Sequence, residues 1–203
     1  MPVKIKKTKS EETRQYIIEK AAPIFNMYGY AGTSMSQLTK AIGMTKGAIY
    51  GNFKDKDEIA LAAFKFNVSQ IGEKRSKIIN AEENANDKLI AYANFSLDNF
   101  AELFKNGGCP VLSAATDSDF GHSKLKESVA KVIKVGLDYV ASIIYDGIEK
   151  KQINKNIEAD KYATIFISLL EGGFMLSQAK GDAVYLSRNV EHILNLVNTE
   201  LRT

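Results

Sequence analysis

Lys46, Tyr50 and Asn52 fall within seven residues of one another, with Gly47, Ala48 and Gly51 between them. On one short helix, an ammonium, a phenol and a carboxamide can donate to phosphate oxygens or to base edges. The small residues let the helix backbone come close. Lys46 can reach a phosphate or a guanine, Tyr50 can donate its phenol to a phosphate, and Asn52 could read adenine or hold the backbone. Lys54 and Lys56 follow and can hold the flanking strand. The chemistry on offer is contact with the groove of a duplex.

Such a set works only if the chain holds it rigidly, and residues 33–56, TSMSQLTKAIGMTKGAIYGNFKDK, contain the means. The Ser34 hydroxyl can accept an orphan N–H and cap a first helix. Met35, Leu38 and Ile42 then give one apolar face. Gly43 stands where a helix stop needs a left-handed residue, and Met44 plugs the turn. Thr45 caps a second helix over 46–52, whose buried side is Ile49 and Phe53. Asp55 or Asp57 caps the helix after it. Two short helices joined by a tight turn have the form of a helix-turn-helix. A helical hairpin inside an ordinary helical protein is the alternative, and charge argues against it. Residues 1–75 carry 13 Lys/Arg against 7 Asp/Glu, and the remainder 14 against 17. A local basic surplus is what phosphate contact needs.

Residues 14–64 resemble the DNA-binding domain of the TetR family of transcriptional regulators, through IIEKAAPIFNMYGYAGTSMSQLTKAIG and MTKGAIYGNFKDKDEIALAAF. Asn52 departs from the histidine that the family often has there. The resemblance implies a ligand-responsive homodimeric repressor that binds a double-stranded DNA operator. It implies three N-terminal helices for DNA and a larger helical effector domain. It also implies DNA contacts at Thr33, Thr45, Lys46, Gly47, Ala48, Tyr50, Asn52 and Lys56.

The rest of the chain fits an all-α fold of about nine helices, divided into a DNA-binding domain over 1–56 and a ligand-binding and dimerisation domain over 57–203. Beyond the reader, the apolar periodicity predicts helices over about 11–28, 57–80, 86–104, 110–117, 123–151, 159–179 and 183–201. Pro23 should bend the first, and KNGGCP should end the fifth. The last two helices are apolar on more than one face and need cover on both sides. They are expected to pair with their copies as a four-helix homodimer interface; burial in the core is the other reading. A dimer would double the base contacts and set a half-site spacing.

No run of 18 apolar residues occurs, so no membrane span is expected. The basic N-terminus lacks the apolar stretch of a secretory signal. A single cysteine excludes an internal disulfide and fits a reducing cytosol, so a cytoplasmic protein is expected. The first nine residues, with Lys4, Lys6, Lys7 and Lys9, read as a mobile arm that either adds non-specific DNA affinity or is a solvated tail. His122 and His192 have no carboxylate spacing for a metal site, and no cofactor is implied.

A small-molecule effector would sit among helices five to eight, with Tyr92, Phe95, Asn99 and Tyr139 as candidate lining residues; their spacing is equally that of core aromatics. Cys109, at a Gly-Gly-Cys-Pro break, is either a small buried residue or a thiol sensor activated by the helix start at Pro110. Glu171 interrupts an apolar run and faces a cavity or the dimer seam, or is solvated. The competing function is a helical enzyme or small-molecule carrier without DNA binding. No Ser/His/Asp order and no Gly-rich phosphate loop favours an enzyme. An architectural DNA binder without an effector is a third reading, against which the long C-terminal half argues.

Overall fold

The computed structural model describes residues 8–118 and 123–203. Lys4, Lys6, Lys7 and His122 lie outside them. Ten α-helices form the described chain: α1 (Lys9–Gly32), α2 (Met35–Ile42), α3 (Lys46–Tyr50), α4 (Lys56–Ile79), α5 (Ala85–Asp98), α6 (Phe100–Lys105), α7 (Pro110–Ser118), α8 (Ser123–Glu149), α9 (Ala159–Lys180) and α10 (Val184–Leu196). A π-turn, Val197–Leu201, closes the last.

The first three helices are set by local chemistry. Thr8 caps α1 reciprocally with Glu11, and Ser34 caps α2 in the same way with Gln37. The helix therefore begins at Lys9, inside the segment expected to be a mobile arm. Pro23 rides on the exposed side of α1 without breaking it. The irregularity falls at Gly29, whose φ of +71° only glycine adopts cheaply. Gly43 ends α2 in the left-handed region, and the Thr45 hydroxyl accepts from Ala48 N at 3.2 Å to open α3. Asp55 caps α4.

Ile17, Ala21, Phe25, Leu38, Ile42, Ile49 and Phe53 form one closed core, and Ile59, Ala60 and Ala63 from the first half of α4 complete it. The N-terminal unit thus runs past the division expected after residue 56. Tyr28, near the end of α1, is 51 % exposed.

The second core gathers α5, α8, α9 and α10 around edge-to-face pairs of Tyr92 with Phe166 and Phe100 with Phe174. Gly173 lets α9 approach α10 closely; a Cβ there would meet Leu186 Cα at 3.0 Å. The fifth helix expected from the sequence is divided at Asn99 into α5 and α6. Phe64, Leu125 and Val129 form a smaller cluster where α4 meets α8.

Polar stitches join the two units. Asn26 Nδ2 donates to Asn106 O at 2.6 Å and to Gly108 O at 3.0 Å. Tyr30 N donates to Asp117 Oδ2 at 2.7 Å.

Candidate nucleic-acid interface and ligand groove

The outer face of α3 is open. Thr45, Lys46, Gly47 and Ala48 are exposed, Tyr50 and Asn52 are half-buried, and a Cβ built on Gly47 would meet nothing within 4 Å. The opposite side is closed by Ile49 at 0 % and Phe53 at 2 % exposure. The face is therefore held from behind without spending its outward groups. The Lys46 ammonium lies 5.8 Å from the Tyr50 ring centroid, so the two stand together on one edge.

Arg14, which the sequence reading passed over, fixes the end of α3. Its guanidinium lies 3.9 Å from the Phe53 ring centroid and donates to the Asn52 carbonyl and, at 2.5 Å, to Glu58 Oε1. The Glu58 carboxyl sits below its ordinary range because Lys54 N–H and Arg14 both donate to it.

Two of the expected contacts are turned elsewhere. Thr33 is 1 % exposed and its hydroxyl donates to Gly29 O at 2.6 Å, so that hydroxyl shapes the turn before α2 and is not presented outward. Lys56 folds back over the Tyr30 ring, donates to Tyr30 O at 2.7 Å, and has its basicity lowered by burial. It braces the junction between α1 and α4. Asn52 Nδ2 is engaged with Ala48 O at 3.0 Å, though the residue stays partly accessible.

In the C-terminal half, Tyr92 lies within electrostatic reach of Cys109, Tyr139, Glu171 and Arg75, the last a residue the sequence reading did not single out. The Arg75 guanidinium stacks 4.4 Å from the Tyr92 centroid. Burial pushes the Tyr92 phenol up to about 12. Cys109 is half-buried as a residue, with the thiol its enclosed end; Sγ donates to Glu171 Oε1 at 3.4 Å. Burial and then Glu171 raise the thiol well above its usual value, outweighing the N–H groups of Leu112 and Val111. Of the two readings of Cys109, activation by the start of α7 is opposed by this burial, which disfavours the thiolate. Burial also raises Glu171, whose Oε2 is enclosed without a hydrogen-bond partner.

Phe95 and Asn99 face a different space. They line a cavity of about 220 Å³ shared with Asn26 and Asn67. The larger opening, about 980 Å³, is a groove between α4 and α8 with Arg75 and Tyr139 at one end and Leu61 at the other. It lies beside the expected position among the fifth to eighth helices, because α4 supplies one whole wall. Among the described residues no group of three or more His, Cys, Asp or Glu side chains could hold a metal ion. No described helix is long and apolar enough to cross a membrane.

Comparison with known proteins agrees with this arrangement. Residues 17–63 match the family model described as bacterial regulatory proteins, tetR family, and residues 85–193 match that of the tetracyclin repressor-like C-terminal domain. A TetR-family transcriptional regulator from Cytophaga hutchinsonii superposes with a TM-score of 0.92 at 32 % identity, covering 97 % of this chain and 98 % of its own. The regulator AcrR of Shigella flexneri is 43 % identical over 70 residues, about a third of each chain. The TetR-family regulator CifR, solved as a cysteine mutant on 26 base pairs of operator DNA, shares the fold at a TM-score of 0.78, 17 % identity and coverage of 96 % and 98 %.

Proposed function

The chain belongs to the TetR family of transcriptional regulators, and on that premise we propose that it is a cytoplasmic repressor released from its operator by a small-molecule effector. It is a DNA-binding regulator and not an enzyme. In this reading two copies pair through α9 and α10 and place their α3 helices in successive major grooves of a palindrome. Gly47 and Ala48 admit the helix to the bases, Lys46 reaches guanine or phosphate, and Thr45 and Tyr50 hold the backbone. Asn52 serves the end of α3, and Lys56 and Thr33 act by bracing the domain.

The observation that carries this reading is the open small-residue face of α3, seated on Ile49 and Phe53 and edged by Lys46. The position of α4 supports a route for release. α4 supplies both the core of the reading head and one wall of the groove. A ligand that binds better when α4 has moved would change the spacing of the two heads, provided its affinities for the two arrangements differ.

A gel shift with the DNA upstream of the protein's own gene tests it. Wild type should bind with an affinity that falls steeply with salt, and Tyr50→Ala should weaken binding about tenfold or more. Equal binding by the variant would remove Tyr50 from the interface. No binding by wild type to any fragment selected from random duplexes would sink the repressor reading.

A further inference from the structure

Arg75 points into the groove between α4 and α8 with its hydrogen-bonding capacity unspent. It forms no hydrogen bond and no salt bridge within the described residues; what holds it is the face of Tyr92. Glu171, the carboxyl within reach, gives one oxygen to the Cys109 thiol and keeps the other enclosed and unpaired. A half-buried guanidinium with free donors is suited to a planar oxyanion, which it can hold by two parallel bonds. Burial shifts Glu171 toward its neutral form, which lessens its repulsion of an incoming anion.

The remainder of the groove is of another character. Leu61, Val68, Val132 and Val135 give it apolar walls, and Val135 is 59 % exposed. Gly72 on α4 and Gly136 on α8 both line it, and a Cβ at either would meet nothing within 4 Å. The groove follows α4 from Leu61 to Lys77, about 24 Å at the rise of an α-helix, so it fits an extended body better than a compact one. Around it Lys65, Lys77, Lys124 and Lys131 join Arg75 against Glu73 and Glu127. Among the described residues none of those five cations is in a salt bridge.

We propose that this groove is the effector site and that its ligand is an amphipathic carboxylate, whose head pairs with Arg75 and whose extended apolar tail lies between Val68 and Val132. The proposal rests on the reading of the chain as an effector-controlled regulator, and adds the chemical class of the effector.

Calorimetric titration of the full chain with dodecanoate, dodecanol and dodecyltrimethylammonium, each below its micelle-forming concentration, tests it without DNA. Dodecanoate should bind once per chain, at least tenfold tighter than the alcohol or the cation. Arg75→Gln should weaken dodecanoate at least tenfold, with partial recovery in Arg75→Lys. Gly136→Leu should abolish binding by filling the groove while the melting temperature holds or rises, which separates a blocked site from a misfolded chain. Absent dodecanoate binding, an alcohol or cation that binds as well, or full affinity in Arg75→Gln or Gly136→Leu would overturn the proposal. An operator gel shift without ligand, run alongside, reports on the regulator reading alone, so the two can fail separately.

Discussion

Arg14 ties three segments with one side chain, covering Phe53, holding the Asn52 carbonyl and pairing with Glu58. Its pair with Glu58 is part-exposed and by itself contributes little. The stacked, desolvated contact with Phe53 contributes more, so Arg14→Ala should lower stability by about 1–2 kcal/mol. Urea unfolding would measure it, and operator affinity should fall with it because α3 loses its anchor. Glu171 makes a prediction of the opposite kind. Its folded-state pKa is raised, so the native chain binds more protons than the unfolded one above the ordinary carboxylate range of about 4.3. Stability contributed by this group is present at low pH and declines as pH rises through that window. Glu171→Gln should flatten the decline, seen as melting temperatures of wild type and variant that diverge with increasing pH. Parallel curves would show that the carboxyl is solvated in solution.

Among the elements, the α2–turn–α3 unit was legible in advance because its determinants are local. Ser34, Gly43, Thr45 and Asp55 act within a few residues of themselves. Ser34→Ala should therefore remove about 1 kcal/mol with little change in cooperativity, measurable by thermal denaturation. The break at Asn99 was not legible, since neither proline nor glycine marks it. Nor was the inward turn of Thr33 and Lys56, which depends on Gly29 and Tyr30 lying close in three dimensions. Gly29 itself is a sharper test. Its φ is +71° and a Cβ would stand 2.3 Å from Asp117 Oδ2, the atom that accepts from Tyr30 N. Gly29→Ala should cost about 1–3 kcal/mol and loosen the reading head from α7.

For the molecule as a whole, the second core buries one stripe of α9, from Ala163 to Ser177, yet leaves Met175 and Leu176 at 49 % and 46 % exposure. Gly172 beside them has open space where a Cβ would stand. The sequence reading expected apolar cover on both sides of this helix; α8 and α10 pack against it, and among the described residues Met175 and Leu176 stay uncovered. Leu176→Arg should shift the protein toward monomer in sedimentation velocity. It should also reduce operator affinity at least tenfold without disturbing far-ultraviolet dichroism, because the proposed pairing through α9 and α10 is what joins the two heads. Arg75 escaped notice at this scale for a physical reason. It follows Leu61 and Val68 at intervals of seven on α4, and only the position of α8 reveals that an apolar stripe ends in a cation facing a void.

The division of labour across α3 has an evolutionary corollary. Because Ile49, Phe53 and Arg14 hold the helix from behind while Lys46, Gly47 and Ala48 stay exposed, exchanges on the outer face leave folding almost unpenalised. Binding preference can then drift by single steps through intermediates that all remain foldable, so a duplicated gene could acquire a new set of DNA targets while its C-terminal half is inherited intact.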